Sequence, residues 1–587
     1  MAALITPARA LDHLDFTVSG DDKAIDRAVR GASLLLQQKT DGSAEVEDLF
    51  TAARSDYANI LGALYSAGHY SAVIHILIDG REASSIAPLD APARIGRIAV
   101  SVDPGPRFAF SRTEIAPLLD DTELPKEFRP GETAATGAIE DAVAVARLDW
   151  RNAGYAKVAP DRTDIVANHA TRTVSADIRL DPGPELRFGP VSVQGAERMR
   201  IKNIIRIAGL RDGERFSQTE LDRAAMRLRR SGVFSSVTLS EGEVIRNGGL
   251  LPIEITVAEQ KPRRYSVGAE LSSVDGLSLT ASWLHRNVNG GGERLKIEGS
   301  ITNIGANGNG MDYGFGMTFE RPATFSRDIT ASLGFNIGHT EEADYTSDSA
   351  DVGLSLIYYY SDQVTFRAGI GYEFSRVKDP TGDMTFSNFI LPLGATWDRR
   401  DSTTDARKGF YLDATAKPFL GLGSSGSGIR VTFDARGYKT FGEKRGVTFA
   451  LRLQGGAIEG SSLLTTPRDD LFFSGGGGTV RGQPYHSLGI PVSYNGGSYL
   501  IGGTHFLGAS AEMRARVTDS IGIVAFYDWG RIDANGFFGD QGADQAGAGI
   551  GLRYETGFGP IRLDVATPVS GSTGDGVQLY IGLGQAF

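Results

Sequence analysis

The sequence contains no cysteine and has more acidic than basic residues. The absence of cysteine excludes disulfide bonds, thiol catalysis and cysteine-ligated metals. The 71 acidic residues outnumber the 60 basic ones, which gives a net charge of −11. Because proteins bind nucleic-acid phosphates through a basic face, this balance predicts no nucleic-acid partner.

Long apolar runs are also missing. No stretch approaches the roughly 18 consecutive apolar residues of a membrane-spanning helix, so the sequence predicts no such helix, while a β-barrel remains allowed. The first residues, MAALITPARALDHLDF, lack a basic segment followed by a long apolar one. We therefore expect that they are not an intact signal peptide, and that the numbering is that of a mature, trimmed or late-started chain.

The usual catalytic motifs are absent from the sequence. The glycine run at 475–478 lacks the Gly-Lys-Ser/Thr ending of a phosphate-binding loop, and the chain has neither a G-x-S-x-G elbow nor an H-E-x-x-H pair. The eight histidines are scattered. These features predict a protein that is not an enzyme and that has no catalytic residue, cofactor or metal.

Three helix ends in the first 260 residues share one pattern, which indicates an internal repeat. Each places a glycine where a helix would need a left-handed cap, followed by an aromatic residue and a β-rich stretch. The glycines are Gly68, Gly154 and Gly232. In the third copy, Ser217 and Glu220 have the spacing of a capping box, and a hairpin is predicted around 246–249. Each copy is predicted to be a strand, two helices and two strands, and generic α/β repeats remain the alternative.

From about residue 264 onward, segments of about ten residues alternate between apolar and polar side chains and are separated by turn residues. A soluble sandwich is the alternative, but the number and regularity of the segments favour a transmembrane barrel. At about 20 residues per strand and turn, the region holds about sixteen antiparallel strands. The last predicted strand begins near Val577, alternates in period two and ends at the terminal Phe587. Charges facing the lumen, among them Glu512 and Asp564, are interpreted as structural ion pairs.

Two motifs within the barrel region are predicted to meet. The first is a glycine-rich loop centred on Val480-Arg481-Gly482, and the second is the strand segment Phe526-Tyr527-Asp528-Trp529-Gly530. Alternation puts Phe526 and Asp528 on one strand face. A loop folded into the lumen needs an anchor, and a guanidinium that meets a carboxylate and an aromatic face provides one. A surface arginine and an unrelated aspartate are the alternative.

These motifs resemble those of the BamA/TamA outer-membrane assembly superfamily, and the repeats resemble its POTRA domains. The family places an aromatic directly after Arg-Gly, whereas Gln483 and Pro484 precede Tyr485 here, which leaves the role of Tyr485 open. The resemblance extends over nearly the whole chain and is closest to the TamA branch, which also has three modules. It implies POTRA domains at 13–103, 104–183 and 184–260, and a barrel at 262–587.

The resemblance further implies an outer-membrane location in a Gram-negative-type bacterium, with the modules in the periplasm. Incoming outer-membrane proteins, such as autotransporters, would be inserted at a seam between the first barrel strand, near Tyr265–Leu271, and the last, near Val577–Phe587. A TamB-like inner-membrane-anchored protein and outer-membrane lipid are the other partners implied. The alternatives are a two-partner secretion-type transporter of one exoprotein, a passive pore or tether, and a component of lipid transport.

Overall fold

The computed structural model describes residues 11–41, 45–272, 276–305, 310–442, 446–518, 520–557, 559–571 and 576–587. Residues 1–10, on which most of the signal-peptide expectation depends, lie outside the described residues. The chain divides into two compact units. The first contains the described chain up to Pro190, with Arg211–Asp222 and Glu241–Ile253, and the second contains Val191–Leu210, Arg223–Ser240 and Glu254–Phe587.

The N-terminal part contains three small α/β sheets, which we call modules one to three. Module one comprises β1 (Leu11–Val18), α1 (Lys23–Ala32), α2 (Leu34–Asp41), α3 (Val46–Ser66), β2 (Val73–Ile78), β3 (Arg81–Glu82), 3₁₀ turns at Ala83–Ser85 and Pro88–Asp90, and β4 (Ile95–Asp103). Module two comprises β5 (Ala109–Ala116), α4 (Thr136–Asn152), β6 (Ala159–Asn168) and β7 (Thr173–Asp181). Module three comprises β8 (Arg187–Gln194), α5 (Ile201–Ala208), α6 (Gln218–Arg230), β9 (Phe234–Glu241) and β10 (Leu250–Glu259).

The sheet orders are β1-β4-β2-β3, β5-β7-β6 and β8-β10-β9. The first and last strands of modules one and two pair in parallel. The glycine pattern is confirmed, because Gly68, Gly154 and Gly232 follow the ends of α3, α4 and α6 with φ values of +84°, +99° and +68°. This left-handed conformation is open to glycine without a steric penalty, so it ends each helix and turns the chain toward the next strand.

Two modules depart from the predicted order of elements. Module one has three helices where two were predicted, because the helix is interrupted between α1 and α2 at Ser33. There the buried Asp56 carboxylate accepts hydrogen bonds from Ser33 Oγ (2.6 Å) and Leu34 N (2.8 Å). Module two, all of which is described, has one helix where two were predicted. Pro117, Pro125 and Pro130 lie between β5 and α4, and proline lacks the N–H that a helix interior requires.

The rest of the chain forms the barrel. Its strands, with one separate hairpin (β23–β24), are β11 (Arg263–Ser272), β12 (Gly276–His285), β13 (Arg294–Ile304), β14 (Asp312–Arg321), β15 (Ile329–Glu341), β16 (Thr346–Tyr359), β17 (Val364–Asp379), β18 (Gly382–Ile390), β19 (Leu393–Asp398), β20 (Gly409–Leu422), β21 (Gly428–Phe441), β22 (Val447–Glu459), β23 (Ile490–Tyr494), β24 (Gly497–Ile501), β25 (His505–Arg516), β26 (Ile521–Asp533), β27 (Ala543–Tyr554), β28 (Ile561–Ser570) and β29 (Gln578–Leu583).

Strands β11 to β22 and β25 to β29 pair in sequence order and close from β29 back to β11. Segments β18 and β19 both pair with β17 and with β20, and they are separated only by Leu391 and Pro392, so they form one interrupted strand. The described residues therefore form the predicted α/β modules followed by an antiparallel barrel of sixteen strands. None of the helices in this described part has the length and apolar composition needed to cross a membrane.

The alternating pattern of the sequence matches the two faces of the barrel wall. On β22, Phe449, Leu451 and Leu453 are exposed, whereas Thr448 and Ala450 between them are buried. The exposed apolar face therefore points outward, and the other face points into the lumen.

Candidate functional site

The loop between β22 and β25 carries the first predicted motif into the lumen. Its 3₁₀ turn, Arg468–Asp470, and the β23–β24 hairpin flank the glycine-rich segment. At the centre of that segment, the Arg481 side chain is only 3% exposed. It contacts the lumen face of β26, because Phe526 and Asp528 are buried while Tyr527 between them is exposed on the outer side.

Arg481 and Asp528 form a two-pronged ion pair. Arg481 Nε donates to Asp528 Oδ2 at 2.7 Å, and Nη2 donates to Oδ1 at 3.0 Å. The backbone N–H of Arg481 also donates to Oδ2, at 3.2 Å. Paired charge-assisted hydrogen bonds are directional, so this contact fixes both the position and the orientation of the loop.

Phe526 and Gly530 of the strand motif also contact the loop. The Arg481 guanidinium lies 3.6 Å from the centroid of the Phe526 ring, a cation–π contact. A Cβ atom on Gly530 would collide with Ser474 Oγ and would lie 2.9 Å from Val480 Cγ2. Glycine at 530 therefore leaves the space that the buried Val480 occupies.

Sequence reasoning paired Arg481 with Asp528 alone, but the structure places two further carboxylates on the same guanidinium. Nη1 donates to Glu512 Oε1 at 2.7 Å and to Asp564 Oδ2 at 3.3 Å. Glu512 also accepts from Arg514 Nε at 2.8 Å, and Asp564 accepts from Arg553. We call the set Arg481, Glu512, Arg514, Asp528, Arg553 and Asp564 the lumen network.

The lumen network balances its charges, with three guanidinium groups and three carboxylates. All six residues are buried. Burial by itself lowers the pKa of Arg481, which lies in the loop outside the membrane-spanning strands, but the carboxylates of Asp528 and Glu512 outweigh it and raise this pKa above its usual value. Arg481 is therefore held as a cation.

The rest of the predicted loop motif contacts the last strands. The Gly482 N–H donates to Tyr580 Oη on β29 at 3.1 Å. Gln483, which stands where the family has an aromatic residue, is buried and donates from Nε2 to the carbonyls of Ala546 and Ser570, both at 2.9 Å. Tyr485 stacks on His486 with the ring centroids 3.8 Å apart.

A second buried ion pair holds the beginning of the loop. Arg468 Nη2 donates to Asp379 Oδ2 at 2.9 Å, and both side chains are fully buried. Lys417 Nζ bridges Asp470 (2.7 Å) and Glu373 (2.9 Å). Sequence reasoning missed these contacts, because the partners are separated by 44 to 89 residues and belong to no motif.

The predicted seam joins β11 and β29. Its described pairs are Leu271 with Ile581 and Ser272 with Tyr580. On its other side, β11 pairs with β12 from Arg263 to Ser272 without interruption. Tyr265 is 73% exposed and Leu271 is 51% exposed, which places both on the outer face. The described pairing at the seam is therefore much shorter than that on the other side of β11.

An ion pair also crosses the seam inside the barrel. Arg562 Nη2 on β28 donates to Glu270 Oε1 on β11 at 2.6 Å, passing over Gly582 of the intervening β29. Sequence reasoning did not identify this ion pair. Nothing in the sequence pattern indicates that a side chain reaches over a whole strand.

The structure differs from the predicted seam at the C-terminus. Val577 directly precedes β29, and this strand ends at Leu583 rather than at Phe587. Gly584 follows with a φ of +89° and turns the chain inward. Phe587 is buried beside Tyr438 and Ala450, and its carbonyl accepts a hydrogen bond from Arg514 Nη2 at 2.9 Å. The terminal residue therefore joins the lumen contacts instead of the seam.

The described side chains contain no group of three or more histidine, cysteine or acidic residues arranged to hold a metal ion. What the geometry provides is a loop fixed inside a sixteen-stranded barrel, next to a short seam. This combination follows the α/β modules along the chain. It defines the class of the protein as an outer-membrane β-barrel with periplasmic POTRA-like modules.

Comparison with known proteins identifies the family. The model of the Omp85 superfamily domain matches residues 287–587, which is more than half of the chain. The chain therefore belongs to the Omp85 superfamily.

Two curated relatives carry the name "Outer membrane protein assembly factor BamA". The protein of Neorickettsia risticii is 23% identical over 508 residues, which cover 81% of this chain and 65% of the relative. The protein of Neisseria meningitidis is 21% identical, with 82% and 67% covered. The chain thus spans slightly less than two thirds of the length of the first relative.

Solved structures share the fold. BamA from Haemophilus ducreyi lacking POTRA domains 1–3 superposes with a TM-score of 0.59 at 18% identity, covering 81% of this chain and all of that one. CdiB from Acinetobacter baumannii gives a TM-score of 0.54 at 12% identity, with coverages of 82% and 90%. The likeness to both shows the architecture that the sequence predicted.

Proposed function

We propose that this protein is an outer-membrane protein assembly factor that inserts nascent β-barrel proteins by opening laterally between β11 and β29. The single observation that carries the proposal is the short described pairing of these strands beside the full-length pairing of β11 with β12. An opened seam exposes unpaired backbone N–H and C=O groups, and an incoming β-segment can pair with them. The name of the two BamA relatives supports the same activity.

The lumen network has a defined place in this mechanism. It holds the loop to β25, β26 and β28, while Gly482 reaches Tyr580 on the seam strand β29. The loop therefore contacts β29 from the lumen side through the side chain of Tyr580. We propose that this anchor keeps the lumen closed while the seam opens.

A reversible disulfide across the seam tests the proposal. The chain has no native cysteine, so the double variant Leu271→Cys/Ile581→Cys introduces the only thiols. Ile581 also pairs with Leu563 on β28, so Leu563→Cys/Ile581→Cys locks an ordinary strand pair and serves as the matched control. We expect the oxidised seam variant to lose insertion of a test β-barrel into liposomes and to regain it with reductant, while the control stays active.

The outcome of this experiment is decisive for lateral opening. Full activity of the oxidised seam variant would reject it. Loss of activity in both variants would show that general stiffening of the barrel, rather than the seam, is responsible. Circular dichroism and heat-dependent gel mobility would verify that all forms are folded.

The three modules support a finer proposal, in which the protein acts as a TamA-type factor with a TamB-like inner-membrane-anchored partner and autotransporter cargo. Crosslinking in native envelopes, followed by identification of what is attached to the modules, tests this assignment. A TamB-like protein would support it. Lipoproteins of a central assembly machine would favour a BamA-type role, and a single secreted protein would favour two-partner secretion.

A further inference from the structure

An open basic groove lies where the first barrel strand begins, entirely within the second unit. Its volume is about 600 Å³. The lining includes Arg198 from module three, Lys261 and Arg263 at the start of β11, and His285 at the end of β12. Of the described residues that line it, none is acidic. The groove therefore presents positive charge without a carboxylate of its own.

The walls of the groove are fixed by hydrogen bonds. Glu259 Oε1 accepts from the backbone N–H groups of Arg198 at 3.0 Å and Met199 at 2.8 Å, so this nearby carboxylate holds the backbone that carries Arg198. On the opposite wall, the Gly290 carbonyl accepts from Arg200 N and from Asn203 Nδ2, both at 3.0 Å. The backbone on both walls of the groove is therefore held by contacts within the protein.

One donor in the lining has no partner among the described residues. Asn287 Oδ1 accepts from the Gly292 N–H at 3.0 Å, but its Nδ2 is buried without a hydrogen bond. In the same turn, burial and, to a smaller extent, the neighbouring Arg264 and Arg294 lower the pKa of Arg286. Basic side chains therefore lie near this turn as well as in the groove, and they favour an anionic ligand over a cationic one.

The position of the groove indicates where that anion comes from. Arg263 and His285 are cross-strand partners, and the next pair on the same face is Tyr265 with Trp283. Tyr265 is 73% exposed and Val267 is 84% exposed, so this face points outward. Cationic side chains thus lie at the end of an apolar, aromatic strip, as they do at a membrane interface.

We propose that this groove binds the phosphate headgroup of an anionic phospholipid in the periplasmic leaflet, with the acyl chains along Tyr265 and Val267. Arg198, Lys261 and Arg263, whose side chains line the groove, contact the phosphate. The site holds a lipid against β11 whether or not the seam opens. The lipid site therefore goes beyond the proposed function, and its test does not depend on whether the seam opens.

Native mass spectrometry of the full chain in detergent tests the site, with phosphatidylglycerol, phosphatidylcholine and inorganic phosphate as probes. The test variant is Arg198→Gln/Lys261→Gln/Arg263→Gln. The matched control, Lys126→Gln/Arg129→Gln/Arg147→Gln, removes the same charge from exposed positions of module two. We expect the test variant to bind phosphatidylglycerol about tenfold more weakly than the wild type, since each basic residue near a headgroup adds to affinity. The control should bind normally.

Each other outcome would overturn the proposal. Unchanged phosphatidylglycerol binding by the test variant would remove the groove as the site. Equal binding of phosphatidylcholine to the wild type would show that the anionic charge is not recognised. Displacement of the lipid by millimolar inorganic phosphate would indicate a soluble anion site instead. Asn287→Asp, a smaller change that places a carboxylate in the groove, should also weaken phosphatidylglycerol binding if the triple variant fails to fold.

Discussion

Two neighbouring parts of the barrel wall are held together in different ways. From β25 to β28, each strand pairs over most of its length, and the lumen network ties three of these strands to the loop through buried charges. At the seam, the described backbone pairs are two, and the ion pair that crosses it is partly exposed. One barrel thus combines a wall that buried charges tie to its loop with a closure that has few described backbone pairs.

The largest effect should follow from removing the centre of the rigid side. Arg481→Ala leaves Asp528, Glu512 and Asp564 buried with too few cations, and breaking a buried ion pair from one side costs about 3–5 kcal/mol. We expect the denaturant midpoint of the reconstituted barrel, followed by tryptophan fluorescence, to fall accordingly.

Arg367→Ala is the control for this variant. It removes a lumen arginine whose pair with Asp413 is 2.6 Å long but whose side chain is 42% exposed, so the expected loss is at most about 1 kcal/mol. Equal losses of stability in the two variants would mean that burial does not strengthen the ion pairs of the lumen network. The contrast with the seam would then disappear.

The second effect tests the space on β26 that the loop occupies. Gly530→Ala places a methyl group against Ser474 and Val480, and overpacking of this kind costs about 1–3 kcal/mol. We expect the loop at 460–504 to be displaced and to become more sensitive to limited proteolysis. Gly437→Ala on β21, where a Cβ meets no atom within 4 Å, should leave the digestion pattern unchanged. Protection of the loop in both variants would show that β26 tolerates the added group.

Sequence patterns predicted the repeating features of this protein better than its single contacts. Period-two alternation fixes which strand residues face outward, and the three helix-ending glycines mark conformations open to few other residues, so the barrel and the glycine caps were predictable. The prediction of a second helix in module two was wrong, because Pro117, Pro125 and Pro130 interrupt the segment between β5 and α4. The module boundaries stay a prediction, although β1 begins at Leu11, before the expected start at residue 13.

The two motifs predicted that Arg481 contacts Asp528 and Phe526, but they did not predict the other carboxylates that Arg481 contacts. Other barrel strands also carry acidic residues that face the lumen, among them Asp413 and Asp434, so nothing distinguished Glu512 and Asp564 from these before the register was known. The inward turn of Phe587 depends on Gly584 and on Arg514, which is more than seventy residues away in sequence. Contacts of this kind follow from closure of the barrel, which no local pattern encodes.

The smallest effect concerns the weak side. Glu270→Gln removes one charge of the ion pair that reaches from Arg562 over Gly582, and because the Glu270 side chain is 53% exposed, the loss should be about 0–1 kcal/mol. A seam with only two described backbone pairs should still respond, so we expect faster hydrogen exchange of the β11 amides with no change in the denaturant midpoint. Glu298→Gln removes a similarly exposed carboxylate whose ion pair with Lys296 lies within β13 and does not cross the seam, so it should leave the exchange of the β11 amides unchanged. Equal exchange rates of the β11 amides in the two variants would mean that backbone pairing alone closes the seam. Opening would then depend on the pairing of the strands and not on their side-chain charges.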